Sequence, residues 1–171
     1  MGIVSAQVAR SWWGNREGSA LVEGAILLPV VMVLMFGVYE FSWLFYQQHV
    51  MVDGLVDAAR FLARSSTPCN AASQTWAADQ AAARSLATIG AVASGPPRIK
   101  RWSPGMVAIA CSTVDNPVGT EGLRAYRGGG VVYVVTVSSR LSDPSLGFFR
   151  LLGLEPPAIS ASHSERVTGP G

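Results

Sequence analysis

One long apolar run dominates the pattern of hydrophobic and polar positions along the chain. From Gly24 onward there is no charged residue until Glu40, and the next after Glu40 is Asp53. A helix that rises about 1.5 Å per residue would extend roughly 34 Å between Gly24 and Tyr46, which is enough to cross the hydrocarbon core of a bilayer. The pattern therefore predicts a transmembrane helix over residues 19–46.

The helical pattern continues beyond the apolar run. One face stays mostly apolar, because two series that repeat every seven positions interleave on it: Leu44, Met51 and Ala58, and Gln48, Leu55 and Leu62. The opposite face carries the charges Asp53, Asp57, Arg60 and Arg64. We predict one helix from Ser19 to Arg64, roughly 69 Å long, with its first half in lipid and its second half packed on a folded domain. The alternative is a span that ends at Tyr46, a break near Gly54 and a separate amphipathic helix.

The rest of the chain predicts the remainder of an α+β fold. An alanine-rich segment from Ala71 to Ala93 favours a second helix, with a buried stripe formed by Trp76, Ala83, Leu86 and Ile89. Segments rich in β-branched residues predict a short antiparallel sheet with strands at Met106–Cys111, Val131–Val137 and Ala158–Val167. Asp143 and Pro144 are typical of the start of a helix, here a short one that ends at Leu152 before Gly153.

Two shorter stretches raise the question of whether their side chains are buried or exposed. The basic residues Arg98, Lys100 and Arg101 surround Trp102 after a Pro-Pro pair, and we interpret them as a solvated loop. An apolar cluster follows later, formed by Leu146, Phe148, Phe149, Leu151 and Leu152. We interpret this cluster as core of the small domain, and a contact patch for another subunit is the alternative.

The charges that flank the apolar run predict its orientation. Arg10 and Arg16 precede it against the single acid Glu17, whereas the residues after it are balanced in charge. By the positive-inside rule, residues 1–18 form a cytoplasmic leader and the chain beyond the span is exported. We therefore predict an exported domain over residues 47–167 and a flexible tail over residues 168–171, in a single-pass protein of the cytoplasmic membrane.

Composition excludes several classes of function. Charged residues are 14% of the chain, the formal net charge is +2 and the mean hydropathy is +0.30, so no nucleic-acid partner is expected. His49 and His163 are isolated and the cysteines have no CxxC partner, so we predict no metal site. The sequence has none of the common hydrolase or phosphate-loop motifs, and we expect no enzyme, no cofactor and no small-molecule substrate. A Ser/His/Asp group formed only by folding stays open.

The two cysteines, Cys69 and Cys111, both follow the predicted span. In an exported domain they are expected to form a disulfide, because that compartment is oxidising. The alternative is a pair of buried thiols.

A carboxylate at the start of the span has two interpretations. Glu23 could lie at the headgroup boundary, where the positive end of the helix dipole favours it and it has no other role. Alternatively, Glu23 is a charge placed in apolar surroundings for a cationic partner. An α-amino group created by cleavage between Gly18 and Ser19 would be such a partner on a neighbouring subunit.

The opening of the run resembles a known family. The segment Gly18-Ser19-Ala20-Leu21-Val22-Glu23-Gly24-Ala25-Ile26-Leu27-Leu28-Pro29 is similar to the start of the TadE-like family of tight-adherence (Tad) pilus assembly proteins. The similarity continues through Tyr39-Glu40-Phe41 and through Asp57-Ala58-Ala59-Arg60-Phe61-Leu62-Ala63-Arg64. The chain departs from many relatives at Gly24, where they have an aromatic residue.

The resemblance implies a pilin-like fold and a minor pilin or pseudopilin that assists assembly of an adhesion pilus of the type IV class. Gly18 would precede a prepilin-peptidase cut, Ser19 would be the new N-terminus, and Glu23 would neutralise a neighbour's terminal amine. Pro29 would be the proline that softens pilin-like spans. The implied partners are the lipid bilayer, the prepilin peptidase, other pilins and Tad assembly-platform proteins. The competing hypothesis is an uncleaved, membrane-anchored extracytoplasmic binding domain that never enters a filament.

Overall fold

The computed structural model describes residues 17–126, 129–142 and 147–168. Most of the predicted leader, the residues Asp143, Pro144 and Leu146, and the predicted tail from residue 169 onward lie outside these ranges. The chain divides between Phe41 and Ser42 into two compact units. We call the unit that begins at Ser42 the head.

The first element is a single helix, α1, which spans Glu17–Ala63 and contains 47 residues. It continues without interruption through Pro29 and Gly54. The prediction of one long helix is therefore confirmed, and the alternative of a break near Gly54 is wrong. Gly54 does not break the helix, and a glycine is required there because of the packing between α1 and its neighbours. A Cβ there would overlap the backbone oxygen of Ala87 and lie 3.0 Å from the Trp102 ring.

The second helix, α2, spans Gln74–Ile89 and is shorter than the alanine-rich segment suggested. Its N-cap is Ser73, whose hydroxyl accepts a hydrogen bond from the Trp76 backbone N–H at 3.3 Å. Gly90 ends α2 in the left-handed conformation, with φ of 85°, and donates its backbone N–H to the Leu86 carbonyl at 3.0 Å. These capping groups satisfy backbone atoms that the helix leaves unpaired, and so fix its length.

A three-stranded antiparallel sheet follows, in the order β1-β2-β3. The strands are β1 (Val107–Asp115), β2 (Val131–Leu141) and β3 (Ile159–Arg166). Val107 pairs with Ser139 and Leu141 pairs with Ile159, so these ends of the strands lie together. The α+β class and the three predicted strands are confirmed, although β1 and β2 extend four residues further than predicted.

The core of the head lies between this sheet and the two helices. The helices contribute the buried side chains Met51, Leu55, Ala58, Leu62, Ala83 and Ala87, and the sheet contributes Val107, Val135, Val137, Leu141 and Ile159. On β2 the residues from Val135 onward alternate between buried and more exposed positions, as expected for a sheet with one covered face. The seven-residue pattern of the second half of α1 therefore marks its contact with the sheet and α2.

Trp102 lies at the centre of this core, which corrects its assignment to a solvated loop. Its side chain is 1% exposed, and the indole Nε1 donates a hydrogen bond of 2.9 Å to the Ser139 Oγ. Ser139 in turn donates to the Met106 carbonyl at 2.9 Å. Nearby, the Arg98 guanidinium forms an ion pair of 3.2 Å with Asp57. The apolar ring is buried while its one polar atom is hydrogen-bonded, which is how a large indole avoids a desolvation penalty.

The connection between α1 and α2 is attached to the sheet through a disulfide. Cys69 and Cys111 are joined, with their Cα atoms 5.8 Å apart. Cys111 lies in the middle of the edge strand β1, and Cys69 has a positive φ of 62°. This bond fixes a segment that has no regular secondary structure to the most exposed strand of the sheet.

The connection between β2 and β3 has the expected short helix but differs from the sequence interpretation in the burial of its leucines. It contains a short helix, α3 (Gly147–Leu151), and Gly153 follows with φ of 71°. Phe148 and Phe149 are half-buried, but Leu151 is 79% exposed and Leu152 is 51% exposed. The assignment of these two leucines to the core is therefore wrong, because the turn carries them away from the sheet.

Candidate functional site

The predicted cleavage junction lies at the N-terminal end of the described part of α1. Gly18 and Ser19 are exposed, and a Cβ built on Gly18 would meet no atom within 4 Å. The Gly18–Ser19 peptide bond is therefore exposed in the structure.

Glu23 is exposed and lies four residues after Ser19, on the same face of the helix. Over the ranges that the structure describes, its carboxylate forms no hydrogen bond and no ion pair. Four residues correspond to about 6 Å along the helix axis. A free amino group at Ser19 would thus lie one turn from a carboxylate that has no other partner within the described part of the chain.

Apolar side chains surround this carboxylate on all sides of the helix. Every residue from Gly18 to Phe36 is exposed, including Ile26, Leu28 and Leu34. A helix that is apolar around its whole circumference is stable only when lipid or protein covers it. α1 is long and apolar enough to cross a membrane, and it fits a membrane anchor.

Pro29 lies inside this apolar part of α1. A proline has no backbone N–H, so one hydrogen bond of the helix ladder is missing at this position. The helix nevertheless continues on both sides of it. The candidate site thus lies on a continuous helix that lacks one backbone hydrogen bond at Pro29, six residues after Glu23.

Two aromatic residues follow at the other end of the apolar run. The rings of Trp43 and Tyr46 are stacked, with their centroids 5.2 Å apart, and both side chains are exposed. Trp and Tyr are enriched at membrane–water interfaces, where an apolar ring with a polar atom is favoured. The pair therefore lies at the end of the apolar run with the chemistry that a membrane–water interface favours.

The comparison with protein families finds a match, which lies in α1. Residues 18–60 match the family described as TadE-like protein. This match covers about a quarter of the chain, begins at Gly18 and includes Glu23 and Pro29. It confirms the resemblance stated from the sequence. No curated protein and no solved structure matches the chain.

The TadE-like match ends within α1, so most of the head lies beyond it. One feature there is a loop between β1 and β2, organised by Asn116. The buried Asn116 amide donates to the carbonyls of Tyr126 and Gly129 at 2.8 and 3.1 Å, and its oxygen accepts from the Tyr126 N–H at 3.1 Å. This side chain therefore holds both ends of the loop together.

A second feature of the head is a cleft of about 710 Å³ lined by residues of α1 and α2. Its two acids already have partners, since Asp57 pairs with Arg98 and the Ser65 hydroxyl donates to Asp79 at 2.5 Å.

Within the described ranges there is no group of three or more His, Cys, Asp or Glu side chains that could hold a metal ion. His163 is not isolated, because its Nε2 lies 3.2 Å from the Glu165 carboxylate.

Proposed function

We propose that this chain is a minor pilin-like (pseudopilin) component that assists assembly of a Tad adhesion pilus of the type IV class. The observation that carries the proposal is that the TadE-like match contains the whole stretch of α1 that is apolar on all sides, and extends beyond it to Arg60. A single helix of this kind can anchor a head in a membrane, and it can pack with equivalent helices when the subunit enters a filament. The pilus association rests on the family match, and the role as a minor pilin is our proposal.

The proposed orientation has the N-terminus in the cytoplasm and the head outside. Two observations support it. The flank before the span is weakly basic, and the head contains a Cys69–Cys111 disulfide, which is typical of an oxidising compartment.

The proposed processing is a prepilin-peptidase cut between Gly18 and Ser19. The exposure of Gly18 and Ser19 supports the proposal. The new amine would lie in a bilayer or a filament core, where an unpaired charge is costly. Glu23 of an axially shifted neighbour would neutralise that charge during assembly, and its lack of another partner within the described residues leaves it available.

The proposed partners follow from these steps. They are the bilayer, the prepilin peptidase, other pilins and the Tad assembly platform. In this proposal the protein has no catalytic activity and holds no cofactor, because its contribution is a structural contact.

The test is the mass of the mature chain purified from membranes of piliated cells. An N-terminus at Ser19 is expected, and the Gly18→Ala variant should keep the leader. Since a Cβ at Gly18 contacts nothing within 4 Å, this variant changes peptidase recognition without disturbing the fold. Gly24→Ala is the matched control, because its Cβ is equally free, and it should still be cleaved. A wild-type chain that retains residues 1–18 in piliated cells would instead support the uncleaved anchor.

A further inference from the structure

The connection between β2 and β3 presents an apolar tip that the proposed assembly role does not use. Leu151, Leu152 and Leu154 are all more than half exposed, and the four residues from Leu151 to Leu154 contain no charged or polar side chain. We call these four residues the leucine turn. Three adjacent exposed leucines are unusual on a surface that contacts only water.

The leucine turn has a defined backbone conformation. Gly153 donates its N–H to the Arg150 carbonyl at 3.0 Å, and Leu154 donates to the Phe149 carbonyl at 2.8 Å. With Gly153 in the left-handed conformation, this pair of bonds is a Schellman motif, which ends a helix and reverses the chain. The leucine side chains are therefore held outward by the backbone, and little conformational entropy remains to be lost when they bind a surface.

The position of the leucine turn along the head follows from the sheet register and one side-chain contact. The turn is part of the segment that connects the end of β2 to the start of β3, and these two strand ends pair through Leu141 and Ile159. At this end of β3 the Gln48 Nε2 of α1 donates a hydrogen bond of 2.9 Å to the Ser160 carbonyl. At the opposite end Thr168 donates its backbone N–H to the Ala63 carbonyl at 2.9 Å. The leucine turn thus belongs to the end of the sheet that lies beside Gln48.

Gln48 lies two residues beyond Tyr46, the last aromatic residue of the stacked Trp43–Tyr46 pair. Two residues correspond to about 3 Å along a helix. If the aromatic pair marks the membrane–water interface, the strand ends beside Gln48 lie at that interface as well. The leucine turn is then at the depth where lipid headgroups meet acyl chains.

We propose that the leucine turn inserts into the outer leaflet and forms a second attachment of the head to the lipid surface. Apolar side chains at this depth exchange water for acyl chains, which favours insertion without any protein partner. The head would then be held at two points, by α1 and by the leucine turn, and its orientation to the membrane plane would be fixed. The inference rests on α1 crossing the bilayer, which is part of the proposed function, and it does not depend on cleavage or on entry into a filament.

The test is the depth of a nitroxide spin label at position 151 in full-length protein, reconstituted at one chain per nanodisc with phosphatidylethanolamine and phosphatidylglycerol. Leu151→Cys supplies the labelling site, because the native cysteines are joined and Leu151 is the most exposed of the three leucines. Leu123→Cys is the matched control, a leucine that is 72% exposed in the loop between β1 and β2, at the other end of the sheet. Val33→Cys in the middle of the apolar run reports whether α1 spans the disc.

The ratio of oxygen accessibility to that of a water-soluble nickel complex should be several-fold higher at position 151 than at position 123. A label at 151 that behaves like the one at 123, while the label at 33 reports lipid, would overturn the inference and leave the span intact. A label at 151 sheltered from both reagents would overturn it too, because protein would then cover the turn. A water-exposed label at 33 would instead refute the span. Leu154→Cys repeats the measurement, and reaction of a single thiol per chain shows that the native disulfide has formed.

Discussion

Gly54 of α1 lies so close to Ala87 of α2 that no side chain fits between the two helices. A Cβ at position 54 would overlap the Ala87 backbone oxygen, and it would also lie 3.0 Å from the Trp102 ring. Backbone atoms cannot move aside as the end of a flexible side chain can. The close contact of α1 and α2 therefore depends on the glycine.

We expect Gly54→Ala to destabilise the head by roughly 1–3 kcal/mol, the usual cost of inserting a methyl group into a packed core. This outcome opposes helix propensity, which alone would make alanine the better residue by about 1 kcal/mol. Thermal unfolding of the full chain in detergent, followed by near-ultraviolet circular dichroism of the tryptophans, measures the effect. Gly105→Ala is the control, since a Cβ there meets nothing within 4 Å. Equal stability of the two variants would contradict the packing argument.

The buried Trp102–Ser139 hydrogen bond leads to a second prediction. Ser139→Ala removes the acceptor of the indole N–H and leaves that group buried without a partner, which costs about 1–3 kcal/mol. Ser138→Ala, one residue away on the opposite face of β2, should change stability by less than about 0.5 kcal/mol. The unfolding midpoints of both variants test this expectation. If Ser139→Ala were as stable as the wild type, the indole would not depend on that hydroxyl.

The disulfide leads to a third prediction, which concerns the thiol count of the chain isolated from membranes. Denatured protein should react with no maleimide before reduction and with two equivalents afterwards. Replacing both Cys69 and Cys111 by serine should lower the free energy of unfolding by up to about 4 kcal/mol, because the bond closes a loop with a sequence separation of 42. Two reactive thiols without reductant would refute the bridge and remove one support for an exported head.

Glu23 leads to a fourth prediction. Glu23→Ala should still be cleaved, because the junction residues are unchanged, but its incorporation into sheared pili should fall at least several-fold. The physical reason is that an amine at a neighbour's N-terminus would then lack a counter-charge in apolar surroundings. Immunoblots of pili and of membranes, normalised to each other, measure the ratio. Val22→Ala, an adjacent exposed position, should incorporate normally. Normal incorporation of Glu23→Ala would leave Glu23 with no role beyond its favourable place near the helix terminus.

The local pattern of the sequence predicted the type and order of the elements, although not all of their bounds. The apolar run and its heptad continuation predicted one helix, and the structure has α1 from Glu17 to Ala63. The strands followed from β-branched residues, and the predicted end of the short helix, at Leu152, lies one residue beyond the observed end of α3 at Leu151. These features depend on backbone conformation and on which face of an element is apolar, and both are determined by residues near one another in the chain.

Only the tertiary structure decided the environment of single side chains far apart in sequence. Trp102 stands among basic residues and near prolines, yet it is buried because Ser139 offers its indole an acceptor and Gly54 leaves space for the ring. Leu151 and Leu152 have the composition of a core and are exposed, because the turn at Gly153 carries them beyond the sheet. The sequence thus determined the order of the elements and the resemblance of the span to TadE-like proteins, while burial depended on which elements met in space. A local pattern shows that a residue is apolar but not what covers it.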